Sequence, residues 1–180
     1  MADTTVVARA ERAAQDLLDR HGITEPPTPV TDLAAAEDIL VVQEPFRDDE
    51  VSGVLLREPD RTMIIVNASN AATRRNFTIA HEIGHSKLHR GKVYLDGRAR
   101  VNLRDSRSST ATDREEIDAN AFAAALLMPA AWVRTAFESV ARHSAIESEE
   151  ELADALAARF GVSRQAMLFR LINLGLVAAP

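Results

Sequence analysis

The sequence predicts an α+β fold, a small antiparallel or mixed sheet of about three strands packed on helices. Two observations carry this. Alanine is plentiful and aromatic residues make up only 4% of the chain, a composition that favours helix. The β-branched runs are gathered in one stretch, Ile39 to Asn67, with helical patterns on either side. At 180 residues the chain is one domain, or one domain with a small appendage. That length buries a core without staples.

Val6 to Arg20 reads as an amphipathic helix, with Val6, Val7, Ala10, Ala13, Ala14, Leu17 and Leu18 on one broad face and His21-Gly22 as its stop. Glu25 to Pro29, "EPPTP", is a rigid connector. A short helix follows from about Thr31 to Glu37, capped by Thr31 or Asp32. Ile39 to Gln43 is a strand. Val51 to Arg57 and Arg61 to Asn67 form a hairpin across "EPD". Asn70 caps a helix over Ala71 to His89. Gly91 to Thr112 mixes Ser, Thr, Arg and Asp without a period and reads as a loop; its position between two candidate metal-binding helices leaves room for a role in covering a cleft. Asp113 to Met128 is a strong helix, and Pro129 opens the next, Ala130 to Arg142. Ser148 to Leu176 reads helix, turn, helix, with Ser163 as cap of the second helix and Gly175 as its stop.

Composition removes several function classes. Cysteine is absent, so there is no disulfide and no thiolate ligand. Any metal site must use histidine, carboxylate and water. The N-terminus has charges and no apolar run, unlike a signal peptide. No apolar run approaches the roughly 18 residues of a membrane span. The expectation is a soluble, cytoplasmic protein. A formal charge of -6 argues against a body that grips nucleic acid through its phosphates.

Three of the five histidines fall within nine residues, in "NFTIAHEIGHSKLH", Asn76 to His89. His81 and His85 stand four apart, so a helix places them one above the other, able to share one ion. Glu82 lies one residue round and reaches a water on that ion. This is the H-E-x-x-H arrangement, in which two imidazoles hold zinc and the glutamate is general base. Neutral imidazole binds zinc without cancelling its charge, which keeps the water acidic. The bland alternative is a solvated or core-satisfied helix face. Against it, Phe77, Ile79, Ala80, Ile83 and Leu88 surround the helix with apolar groups, and Gly84 allows a neighbour close. Buried histidines in such a helix need partners. His89 is one turn too far to share the ion and reads as a helix-end or supporting residue.

A third ligand must come from elsewhere. In "DREEIDANAFAAALLMP", Asp113 to Pro129, the residues Glu116, Ala119, Asn120, Ala123 and Leu127 share one face. A glutamate on an otherwise apolar stripe wants a partner or a metal. Asn120, one turn along, is placed to accept a hydrogen bond from a ligating imidazole. The competing reading of Glu116 is a capping box with Asp113. Glu115 and Asp118 point off the stripe. For a group stabilising developing negative charge, Tyr94, His89, His143 and several arginines are open candidates.

The runs "FTIAHEIGH" at 77–85, "EIDANAFAAALLMP" at 116–129 and "LAARFGVSRQAMLFRLINLGLV" at 156–177, in that order and spacing, resemble the ImmA/IrrE family of bacterial metallopeptidases. The resemblance covers roughly residues 5 to 178. It implies a zincin-like metallopeptidase domain over residues 1–145 and a helix-turn-helix-like helical subdomain over 146–180 packed on it. It implies one Zn2+ per chain, held by His81, His85 and Glu116, with Glu82 as catalytic base and a gluzincin-like endopeptidase activity. Asp118 stands where members often carry glutamate, a change expected to leave the mechanism intact. The substrate it implies is a helix-turn-helix transcriptional repressor, whose cleavage releases stress, phage or mobile-element genes. An extended substrate could add to a sheet edge offered by Arg61 to Asn67 or Val51 to Arg57.

The C-terminal helices also invite a DNA-reading interpretation, with Ser163, Arg164, Gln165 and Arg170 on a recognition helix. Glu149, Glu150, Glu151 and Asp154 weigh against it, and a packing or partner-binding role is the better expectation. The alternative to an enzyme is a non-hydrolytic regulatory or antitoxin-like binding protein that keeps the zinc fold. Such a protein has no need of Glu82.

Overall fold

The computed structural model describes residues 4–48, 50–90, 93–97, 109–143 and 148–178. The chain opens with helix α1 (Thr4–Arg20) and α2 (Val30–Ala36). Strands β1 (Ile39–Glu44), β2 (Val51–Arg57) and β3 (Thr62–Asn67) lead into α3 (Ala72–Leu88). Strand β4 (Val93–Gly97) follows, then α4 (Ser109–Leu127), α5 (Ala130–His143), α6 (Glu149–Phe160) and α7 (Arg164–Asn173). The class is α+β, as expected.

The sheet is mixed and four-stranded, in the order β1-β3-β2-β4. β3 runs parallel to β1 and antiparallel to β2, and β4 is antiparallel to β2. Leu55 of β2 lies opposite Ile64 of β3, and both are fully buried. Two expectations need correction here. The fourth strand lies in the segment read as loop: Val93 to Gly97 is too short to announce itself and owes its conformation to a distant partner, β2. Neither β2 nor β3 is an edge, because each is paired on both sides; the edges are β1 and β4.

Helix starts also moved. α2 begins at Val30 with Pro29 at the cap and no side-chain cap bond, so Thr31 and Asp32 lie inside its first turn. Pro29 needs no N–H donor and its fixed φ suits a helix start. α3 begins at Ala72, with Ala71 rather than Asn70 at the cap. Asn67 organises that approach instead, its Oδ1 accepting from the backbone N–H of Ser69 at 3.0 Å and of Phe46 at 3.3 Å. α4 begins at Ser109, so Asp113 sits within the helix and the proposed capping box has no helix start to cap. Serine and threonine are only a few tenths of a kcal/mol poorer than good helix formers, about 0.5 kcal/mol, too little to end a helix already nucleated.

One core runs through the molecule. Ala10, Ala14, Leu17 and Leu18 of α1 and Ile79, Ala80 and Ile83 of α3 belong to it. So do Phe122 and Leu126 of α4, and Leu156, Phe160, Met167 and Leu171 of the C-terminal pair. Burying each such Leu, Ile or Phe stabilises by about 1.5–3 kcal/mol. The C-terminal pair folds as its sequence says: the Ser148 and Ser163 hydroxyls accept from Glu151 N–H and Ala166 N–H, and Gly161 takes φ +66° between the helices. Of the DNA-reading candidates, Ser163, Arg164 and Gln165 are exposed and Arg170 is turned inward. Arg170 is buried, donating from Nε to Met128 O at 3.0 Å and pairing Nη1 with Glu11 Oε1 at 2.8 Å. Arg164 forks onto Asp154 at 2.5 and 2.6 Å. These arginines hold α7 to its own body.

Glu37, at the end of α2, ties three helices. Arg20 and His21 reach it at 3.1 and 2.5 Å, and Lys87 of α3 pairs with its other oxygen. Burial pushes its carboxyl up, but the His21 and Lys87 hydrogen bonds and the Lys87 and Arg20 charges outweigh this and hold it at about 2, against an ordinary 4.5. A depressed carboxyl contributes stability that is present above its unfolded value and lost as pH falls from about 4.5 to about 2. Allowing for screening by solvent, Glu37→Gln is expected to lower stability at pH 7 by about 1–2 kcal/mol. The deficit should shrink toward zero near pH 2–3. Urea unfolding at the two pH values measures it, and an equal deficit at both would show that the carboxylate charge is not its origin.

Candidate metal centre

α3 carries the first half of the site. His81 and His85, one turn apart, aim their Nε2 atoms at the same point, 3.0 Å from each other. Both rings are buried, as is Glu82 between them. α4 supplies the second half. Glu116 Oε2 lies 3.4 Å from His81 Nε2, and Glu116 Oε1 lies 3.1 Å from His85 Nε2. Among the described residues this trio is the group able to hold a metal ion, its donor atoms all within 4.8 Å of one another. Ligand atoms about 2.0–2.1 Å from one tetrahedral zinc stand about 3.4 Å apart. The observed separations match that spacing, so the donor set fits such an ion in number, chemistry and distance.

Two close approaches bring the halves together. Gly84 faces α4: a Cβ there would lie 3.1 Å from Phe122 Cδ1 and 3.2 Å from Ala119 Cα. A larger residue there would need α4 to give by a few tenths of an ångström, and Glu116 rides on α4. On the other side of α3, a Cβ at Gly53 of β2 would lie 2.3 Å from Thr78 Cγ2 and 3.8 Å from Glu82 Oε1. Gly53 thus lets the sheet sit directly over the Glu82 carboxylate. The sequence offered a sign of this: a lone glycine inside a strand pattern marks a bulge or a close approach. The β2–β4 register indeed shifts between Val51 and Gly53.

The outward ring nitrogens are held as well. Asn120 Oδ1 lies 3.1 Å from His81 Nδ1 and accepts its proton, leaving Nε2 with a free lone pair for a ligand. His85 Nδ1 lies 3.0 Å from His89 Nδ1, and His89 Nε2 lies 3.5 Å from Asp118 Oδ2. His89 therefore supports the site from the helix end, as read. Asp118 was set aside in the sequence; it lies outside the cluster, and its buried carboxylate faces His89. Arg57 was not anticipated at all. Its Nη2 donates to His85 O at 2.8 Å and satisfies a carbonyl at the end of α3. Tyr94 lies on β4 opposite Leu55; its side chain and that of His143 fall outside the described residues.

Burial holds the His85 imidazole down at about 4, with His81 and His89 adding to the fall and Glu116 opposing it. His85 is thus neutral near pH 7, the form that binds metal. Asn120→Ala is expected to weaken metal binding about 10- to 100-fold, measured by competition with a chromogenic chelator. An unchanged affinity would mean that Asn120 does not orient His81.

Fold and cluster together define a class: an α+β protein with a helix-borne H-E-x-x-H pair and a carboxylate from a second helix gathered where a metal can bind. The Peptidase M78 family, described as the IrrE N-terminal-like domain, matches residues 34–172, and the chain belongs to that family. It is 29% identical over 90 residues to "Uncharacterized immunity region protein 2" of Bacillus phage phi105, a match covering 50% of this chain and 52% of that one. The fold is similar to that of a Mycobacterium tuberculosis transcriptional regulator, with a TM-score of 0.62 at 23% identity over 92% of this chain and 46% of the other. The chain spans about half the length of both relatives. Among the described residues no helix is long and apolar enough to cross a membrane.

Proposed function

We propose that this protein is a zinc endopeptidase that cuts a helix-turn-helix transcriptional repressor. The observation that carries the reading is the convergence of His81, His85 and Glu116 beside a buried Glu82. His81 and His85 present their Nε2 atoms, and Glu116 adds one carboxylate, so the three would hold zinc. When bound, zinc supplies Lewis acidity and an acidic water. Glu82 takes the proton of the attacking water and delivers it to the leaving amine. Asn120, His89 and Asp118 keep the imidazoles in place through both transfers. A peptidase family and a relative named for a phage immunity region fit a regulatory protease in repressor control.

The test is incubation of the zinc-loaded chain with helix-turn-helix repressors encoded next to its gene. Cleavage at one bond, stopped by a chelator and restored by zinc, is the expected result. Tight binding of a repressor without hydrolysis would instead favour the regulatory binding protein.

A further inference from the structure

Beside the metal centre lies a groove of about 620 Å3, between the N-terminal half of α3, the C-terminal half of α4 and the exposed side of α7. Two of its walls are the helices that carry the site. On α3, Phe77 lines the groove, and its ring centroid is 6.5 Å from that of His81. On α4, Ala124 lines it one turn beyond Asn120, the residue that holds His81. α7 closes the third side with Phe169, a residue 59% exposed. Phe169 stands at the lip of the groove, where a ligand can reach it.

The charge of the groove is as telling as its shape. Its lining contains two arginines and no acid, in a chain of net charge -6. Arg170 is already matched by Glu11. Arg74 is different: among the described residues its guanidinium meets only the Ser52 hydroxyl, at 3.0 Å from Nε. It is exposed at the far end of the groove, seven residues or about 10 Å along α3 from His81. An extended peptide covers that distance in about three residues.

We propose that this groove is a specificity subsite. It seats a large apolar side chain of the cleaved polypeptide next to the scissile bond, and Arg74 receives an acidic residue about three positions further along the same segment. The apolar side chain is recognised by Phe77, Ala124, Met128 and Phe169, and the acid by charge. The assignment rests on the peptidase reading. It adds to it the substrate chemistry: an apolar–acidic segment rather than a basic or small-residue one.

The experiment uses the full chain, zinc-loaded, with a synthetic peptide library randomised over eight positions and products sequenced by mass spectrometry. Wild type should prefer Leu, Met or Phe at one position flanking the cut and Asp or Glu about three residues beyond. Phe169→Ala, on the surface and safe for folding, should reduce the apolar preference at least 10-fold. Ala124→Trp, which fills the groove, should shift that position to Gly, Ala and Ser. Arg74→Glu should replace the acidic preference by Lys and Arg. Cleavage with the same pattern in all three variants would overturn the subsite while leaving the peptidase intact. If wild type cleaves nothing, the same library is equilibrated with the chain and retained peptides are sequenced. Apolar–acidic enrichment that Arg74→Glu inverts would uphold the groove and remove the peptidase. No enrichment would remove the groove as well.

Discussion

Glu82→Gln is expected to lower the cleavage rate by about 100- to 10,000-fold while leaving the zinc content unchanged. The amide keeps the size of the carboxylate in a place with no room to adjust, buried beneath Gly53 with no solvent exposure. It cannot take a proton from water. His81, His85 and Glu116 are untouched, so metal binding is the internal control. Single-turnover cleavage of the repressor, read beside metal analysis by mass spectrometry, separates the two quantities. A Glu82→Gln protein that cuts at the wild-type rate would remove Glu82 as general base.

Glu116→Ala is expected to lose the metal. Two imidazoles from one helix remain, and a lost ligand should weaken binding by more than the roughly 10- to 100-fold of a supporting residue. Zinc content should fall from about one per chain to a small fraction, as it should in His81→Ala. The same loss has a thermal signature. A ligand at about 1,000 times its dissociation constant stabilises the folded state by about 4 kcal/mol. For a chain of this size that raises the melting temperature by roughly 10 °C. Zinc should therefore raise the wild-type melting temperature by about that much, a chelator should reverse it, and neither should move Glu116→Ala. A wild type that takes up no zinc and shows no shift would rule out the mechanism and return the choice to a binding protein.

These outcomes rest on features that were legible to different degrees. His81, Glu82 and His85 could be read from spacing, because four residues make one helical turn in any surroundings. Glu116 and Asn120 could be read from a polar interruption in an apolar stripe. The cap of α7 was equally plain, since Ser163 acts on backbone within a turn of itself. Less direct was the order of the sheet. Local pattern found three strands, but which strand flanks which depends on contacts far apart in the chain, and β4 was hidden for that reason.

What the sequence determined by itself is the chemistry available: two imidazoles, a glutamate beside them and a second carboxylate, each on a helix whose period fixes its facing. What only the tertiary structure decided is that they meet. Gly84 against Ala119 and Phe122 sets the distance between α3 and α4, and Gly53 sets the sheet over Glu82. The groove and its one acid-free arginine likewise exist only once α7 has been brought opposite α3 and α4. Periodicity is a property of a segment and can be read locally. Convergence of segments is set by close packing, where a single added Cβ must displace its neighbour.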